Sequence, residues 1–266
     1  MEHKEKILIL ADDDFVYGAN ENYYNEYNEQ LTLGNLGFIN LCEAKQLKEE
    51  GIIPSISKAN GEIFILNPYS QEYISESSPQ IEETFIHEKA IAYQRALLLM
   101  GAQCVFLEEA VKDIDSNNVN VDVGGGIPRK KGQVEVDYNK ELSIDLNTKI
   151  RHYDANNKPS SLDDIQKYLL KTSLIHDSTI KDCYEQLKLA AKNGGEARLT
   201  GIQHIDVDFT SELISSVDIA AKLDFGPLNI NTDVSVKHRH LHSFHKMIRV
   251  YFDNVPENVK KLFENV

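Results

Sequence analysis

Four histidines lie close together near the C-terminal end of the chain, and imidazole is a frequent zinc ligand. They are His238, His240, His242 and His245. The first three alternate with other residues, so on a strand they share one face, with neighbours about 7 Å apart and the outer pair about 13 Å apart. One zinc ion, with bonds of about 2 Å, could take two of them and would need a ligand from elsewhere. We therefore favour a half-exposed strand face, which the imidazoles could make sensitive to pH, and keep metal binding as the alternative.

Three aspartates, Asp12, Asp13 and Asp14, follow the first apolar run of the chain. Paired acids at a strand end resemble the site of receiver domains, and Asp12, Asp14 and Val16 formally match the D-x-D-x-[TV] pattern of haloacid-dehalogenase phosphatases. Both families require alternating parallel strands and helices, whereas the second half of this sequence is patterned for antiparallel strands. We therefore interpret the acids as a solvated strand end. A metal-dependent enzyme that uses Asp12 and Asp14, or the histidines, is kept as an alternative.

One dense basic cluster, Arg129, Lys130 and Lys131, lies in the glycine-rich stretch VGGGIPRKKGQ. This stretch lacks the Walker spacing, and a strand pattern rather than a helix follows it, so an amide cradle for phosphate would be incomplete. A hairpin turn with a basic tip fits better. The tip either contacts lipid headgroups or an acidic partner, or only keeps the hairpin end soluble. Phe225, in the turn signal DFGP, would lie at the tip of a second hairpin.

The charge balance argues against several classes of function. Over 266 residues, 42 acidic side chains against 28 basic ones give a formal charge of −14. Nucleic-acid binding requires clustered Lys and Arg, so no nucleic-acid partner is expected. The three cysteines have no paired spacing, and no segment is long and apolar enough for a signal peptide or a membrane helix. We expect a cytoplasmic protein without cofactors, in which a local basic tip could still contact lipid.

Helices and strands must position these residues. Asn40 and Glu43 form a capping box at the start of one helix, and Pro79 lies in the first turn of a longer one. The predicted class is α+β, with a mainly antiparallel sheet, long amphipathic hairpins and four to five helices packed on it. We treat residues 1–266 as a single domain with five parts, namely 1–78, 79–153 with a helix and the first long hairpin, 154–196 with a helix pair, 197–253 with the second long antiparallel region, and 254–266 with a short helix or tail.

Two regions have the alternation of amphipathic strands. Residues 119–146 predict the first hairpin, on either side of the glycine-rich turn. In the second region the apolar residues occupy odd positions from 199 to 223 and even positions from 228 to 252, so a turn between them puts both sets on one face. The segment SELISSVDIAAKL, 211–223, fits a helix as well as a strand. In that case 197–209 and 228–252 remain antiparallel partners.

The order of elements over residues 80–253 resembles the plan of gasdermin and membrane-attack-complex/perforin-like pore-forming proteins. It runs from a helix through a long hairpin and a helix pair to a second long amphipathic region. In those families two segments of each subunit extend into hairpins and join a large β-barrel. The resemblance implies a regulated pore-former that contacts a membrane in an activated state.

The side chains on the presumed lipid face favour a different function. Ser211, Ser215, Thr232 and Lys246 would lie on that face together with the three histidines, and such a surface packs more easily against helices than against lipid. We therefore expect a non-enzymatic, self-assembling interaction or effector protein, acting as a homo-oligomer or with a protein partner. The pore-former is the first alternative and the metal-dependent enzyme the second.

Overall fold

The computed structural model describes residues 5–20, 35–53, 56, 61–108, 149–192, 198–222 and 243–263. This part of the chain is α+β with two mostly antiparallel four-stranded sheets, which confirms the predicted class. The strands are β1 (Ile7–Leu10), β2 (Leu36–Ile39), β3 (Ile63–Asn67), β4 (Glu72–Ser75), β5 (Cys104–Leu107), β6 (His152–Tyr153), β7 (Ile202–Asp208) and β8 (His245–Tyr251). The α-helices are α1 (Asp13–Asn20), α2 (Leu41–Glu49), α3 (Ile81–Leu99), α4 (Leu162–Lys171), α5 (Ser178–Lys192), α6 (Ser211–Lys222) and α7 (Glu257–Lys260).

The chain divides into two compact units. The first unit comprises Met1–Glu88 and Phe209–Phe244, and the second comprises Lys89–Asp208 and His245–Val266. Each unit contains one of the two sheets. The first unit is therefore completed by a segment that lies between β7 and β8 in sequence. The assignment of residues 1–266 to a single domain stays a prediction.

The sheet of the first unit has the strand order β2-β1-β3-β4. β1 is parallel to β2 and antiparallel to β3, and β3 is antiparallel to β4. All four residues of β1 are buried, because side chains from helices cover both faces of the strand. Ile7 and Ile9 belong to a core cluster on one face, and Leu8 and Leu10 to a separate cluster on the other. An uninterrupted apolar run such as ILIL is what a strand buried on both faces requires.

The segment 211–222 is a helix, which confirms the helical alternative and shows that one continuous strand over 199–223 was wrong. Leu213, Val217 and Ala220 recur at helical spacing and are buried in the core of the first unit with Ile81 and Phe85. Burial of this stripe decides between two periods that the sequence fits equally well. The described part has seven α-helices, more than the four to five expected, and α1 and α6 are among those that were not firmly predicted.

The sheet of the second unit has the order β6-β5-β8-β7, and all its pairings are antiparallel. As expected if 211–223 were helical, the segment containing β7 pairs with the one containing β8. Ile205 lies opposite Ile248, whereas the hairpin register would have placed Lys246 there. The difference is two residues, so the apolar side chains still share one face.

The other predicted hairpin elements lie outside the described residues. These are the first hairpin at 119–146, the turn at 224–227 and the part of the second arm before Ser243. Their long-strand assignment stays a prediction. β8 itself begins at His245, and β7 and β8 are each seven residues long.

Candidate functional site

The three aspartates after β1 begin a helix. Asp12 Oδ1 accepts a hydrogen bond of 2.8 Å from the Phe15 N–H, as an N-cap residue does, and Asp13 and Asp14 lie in the first turn of α1. Negative side chains are favourable there because the helix dipole is positive at its N-terminus. Val16, the last residue of the formal phosphatase pattern, is buried in the core. Capping therefore accounts for the acids without a bound ligand.

Most of the predicted site residues lie beyond the part of the chain that the structure describes. They are Arg129, Lys130 and Lys131, Phe225, and His238, His240 and His242. Their predicted roles stay predictions. Among the side chains that are described, no group of three histidine, cysteine, aspartate or glutamate residues could hold a metal ion.

The fourth histidine of the cluster, His245, lies on the second unit's sheet and contacts two carboxylates. Its Nδ1 is 3.5 Å from Asp206 Oδ1 and its Nε2 is 3.4 Å from Asp208 Oδ2. Ile248 and Val250, at even positions of the same strand, are buried. His245 therefore points away from the apolar face, as the odd–even pattern predicted.

A second ionic group lies further along the same strands. Arg249 Nη2 donates to Glu108 Oε1 at 2.5 Å, and His204 Nδ1 lies 3.4 Å from Glu108 Oε2. Desolvation raises the pKa of Glu108, but the hydrogen bonds and positive charges of Arg249 and His204 outweigh it and hold that pKa below its ordinary value. We call the surface formed by His204, Asp206, His245, Arg249 and Glu108 the polar face.

The polar face also exposes two apolar side chains. Ile202 is 50% exposed and Met247 is 37% exposed. Ile202 lies opposite Tyr251 and Met247 opposite Asp206, so both belong to the set of even β7 and odd β8 positions that form this face. The face therefore combines charges of both signs with accessible apolar area.

The backbone of β7 directs alternate residues away from β8. The Phe252 N–H donates to the Gly201 carbonyl, so the odd position 201 bonds to the β8 side. The Glu108 N–H donates to the Met247 carbonyl, so the odd residue Met247 of β8 bonds toward β5 rather than β7. In antiparallel pairing the hydrogen-bonded pairs alternate with pairs that make no main-chain bonds to each other. The main-chain groups of the odd residues of β7 therefore bond to β8, and those of the even residues point away from β8. Lys89 Nζ donates to the outward carbonyl of Asp208 at 2.6 Å, which agrees with this assignment.

β7 is the outermost strand of its sheet among the described residues. Within that part of the chain, the outward N–H and C=O groups of Ile202, His204 and Asp206 have no backbone partner. We call these groups the β7 edge. Since unpaired strand groups are a template for another strand, the β7 edge can accept main-chain hydrogen bonds from a further chain segment.

A cleft of about 500 Å³ in the first unit contains a buried carboxylate. Glu62 is only 2% exposed and accepts a 3.0 Å hydrogen bond from Ser75 Oγ, which lies 2.9 Å from Ser77 Oγ. A nucleophilic serine needs an adjacent base that is oriented by a third group. The described residues that line this cleft include no histidine, lysine or cysteine.

Two of the three cysteines, Cys104 and Cys183, are buried in the structure. Burial raises the pKa of Cys104 to about 12, and burial together with the nearby Asp182 and Asp177 carboxylates raises the pKa of Cys183 to about 11. The thiolate is the nucleophilic form, so neither buried thiol is activated. Cys42 is exposed.

Sequence reasoning missed five members of the polar face and its border: Glu108, His204, Asp206, Asp208 and Arg249. A signal was present, because most of the polar and charged residues of IQHIDVD and HKMIRVY alternate with branched apolar residues, with Ile202 and Lys246 among the exceptions. Only the pairing of the two strands shows that these charges are complementary and lie side by side.

No protein-family model, curated protein or solved structure matches the chain. None of the helices in the described ranges combines the length and the apolar character needed to cross a bilayer. The polar face and the β7 edge are thus the features from which a function can be inferred.

Proposed function

We propose that the protein is a non-enzymatic interaction protein that assembles by adding a strand from a protein partner to the β7 edge. The observation that carries this proposal is the orientation of Ile202, His204 and Asp206, whose backbone groups point away from β8. In strand addition, main-chain hydrogen bonds supply affinity and the side chains beside them supply selectivity. The β7 edge offers both within one seven-residue strand.

The side chains beside the edge support the same function. Ile202 and Met247 provide accessible apolar area, and His204, Asp206 and His245 provide polar side chains that face solvent, with side-chain exposures of 47%, 62% and 54%. Protein interfaces combine an apolar centre, in which methionine is enriched, with a polar rim. Charged side chains on an edge strand also oppose unspecific aggregation. The β7 edge therefore favours a partner whose charges are complementary to its own.

Amide hydrogen exchange tests the proposal with a simple probe. The probe is a synthetic peptide of alternating valine and lysine, a strand-former whose charge is opposite to that of this acidic chain. On addition of the peptide, the amides of His204 and Asp206 should exchange more slowly. Those of Gln203, Ile205 and Val207 should be slow from the start because they bond to β8.

Two substitutions at one position serve as variant and control. Asp206→Pro removes an outward N–H and leaves the bonds to β8 in place, so it should abolish protection by the peptide. Asp206→Asn keeps that N–H and should retain protection. The proposal would be overturned by rapid exchange at His204 and Asp206 both with the peptide and at every protein concentration.

A further inference from the structure

We propose that the strand added at the β7 edge is β7 of a second copy of this chain, antiparallel about a two-fold axis, with His204 of each copy opposite Asp206 of the other. The inference rests on the proposed function and specifies its partner. Two copies joined in this way would form one continuous sheet of eight strands from two sheets of four.

The backbone restricts the possible registers. Only even residues of β7 direct their main-chain groups outward, so an even residue must lie opposite an even residue in the added strand. Three of these registers place the two-fold axis within one residue of Ile205, the midpoint of β7: His204 opposite itself, His204 opposite Asp206, and Asp206 opposite itself. Registers shifted by one residue would turn the bonding groups away from each other.

Charge selects among these three registers. Asp206 opposite Asp206 sets two carboxylates together, and like charges directly opposite are unfavourable. His204 opposite His204 pairs two imidazoles and leaves each Asp206 without an imidazole partner in the other copy. Only the remaining register gives each His204 a carboxylate partner and each Asp206 an imidazole partner. Because of the two-fold axis, this register contains two equivalent His204–Asp206 pairs, and the main-chain groups of both residues form hydrogen bonds in each pair.

Neighbouring side chains extend the same complementarity. His204 already lies 3.4 Å from Glu108, and Asp206 lies 3.5 Å from His245. In the proposed register Asp206 of the second copy would lie beside His204, so acid and imidazole alternate from Glu108 of one copy to His245 of the other. A chain with a net charge of −14 repels its copies at long range. Salt screens this long-range repulsion, and the local alternation of acid and imidazole offsets the part that remains.

Disulfide trapping between two variants tests the register directly. Directly opposite residues of an antiparallel pair have Cα atoms about 5.5 Å apart, which a disulfide can span. The variants His204→Cys and Asp206→Cys are each made in a Cys42→Ser background, which removes the exposed native thiol. The two proteins are mixed under mild oxidation at physiological salt, and covalent dimers are identified by mass spectrometry after proteolysis.

The expected result is a disulfide that joins the His204→Cys variant to the Asp206→Cys variant through the two substituted positions, at least tenfold more abundant than disulfide-linked dimers of either variant alone. Disulfides formed mainly within one variant would overturn the register. A protein that sediments as a monomer at all concentrations would overturn the choice of a second copy. In either case, slowed exchange at His204 and Asp206 with the valine–lysine peptide would leave strand addition standing. Rapid exchange of both amides, with the peptide and at every protein concentration, would remove both proposals.

Discussion

Glu108 is the residue that joins three strands of the polar face, because it follows β5 and accepts from side chains on both β8 and β7. Its partners, Arg249 and His204, lie opposite each other in the β7–β8 register. A carboxylate that accepts hydrogen bonds from a guanidinium and an imidazole is stabilised in its ionised form. Loss of that charge should therefore weaken the alignment of β7.

Glu108→Gln should lower the free energy of unfolding by about 1 kcal/mol at neutral pH, since the pair with Arg249 is partly exposed. The pKa of Glu108 is lower in the folded protein than in the unfolded chain. Its contribution is thus complete above the ordinary glutamate pKa of about 4.3 and is lost as the pH falls through the lowered value. Urea denaturation of variant and wild type should give curves that converge on acidification.

Glu185→Gln is the matched control, because Glu185 pairs with Lys188 on an exposed helix surface. Its effect should be close to zero at neutral pH. A difference between Glu108→Gln and wild type that persisted unchanged at acid pH would contradict an electrostatic role for Glu108.

The thiols should divide into one accessible and two protected groups. Cys42 is exposed, whereas Cys104 and Cys183 are buried and have raised pKa values. A thiol-reactive reagent should therefore modify Cys42 rapidly in the native protein and the other two only after unfolding. Rapid labelling of a Cys42→Ser variant under native conditions would show that a buried thiol is accessible.

At the scale of elements, α6 contributes three buried side chains, those of Leu213, Val217 and Ala220, to the first unit's core. Leu213→Ala should lower the free energy of unfolding by about 2–5 kcal/mol, because it opens a cavity beside Ile81 and Phe85. Ser215→Ala, an exposed change on the same helix, should alter it by less than about 0.5 kcal/mol. Thermal or urea denaturation measures both. Equal effects of the two changes would argue against burial of the α6 stripe.

The same helix shows where the sequence was ambiguous. The capping box of Asn40 and Glu43 was predicted and is present, because it depends on residues three apart. The assignment of 211–222 could not be decided locally, since alternating and helical periods share Leu213 and Val217. The choice was made by core residues more than a hundred positions away.

The candidate site was less accessible to prediction than the fold. The spacing of the histidines predicted a site at residues 238–242, whereas the contacts within the described residues involve His245 and His204. Isolated charges such as Asp206 and Arg249 carry no signal until the strand register brings them together. The direction of the β7 backbone groups likewise depends on which residues bond to β8.

For the whole molecule, the order of segments predicts a specific failure on truncation. A chain that ends at Asp208 lacks both α6, which belongs to the core of the first unit, and β8, the central partner of β5 and β7. Such a chain should show no cooperative thermal transition by circular dichroism. A chain that ends at Phe263 is the control and should melt as the full chain does. Cooperative melting of the shorter chain would mean that one unit is self-sufficient.

The position of Phe209–Phe244 between β7 and β8 also bears on biosynthesis. β7 emerges from the ribosome before its partner β8, and at about 5–20 residues per second the intervening segment and β8 take about 2–9 s to make. During that interval both edges of β7 are unpaired, because β8, which later pairs with one of them, has not yet been made. Neighbouring nascent chains on one messenger would therefore hold β7 strands ready to pair with each other before either has closed on its own β8.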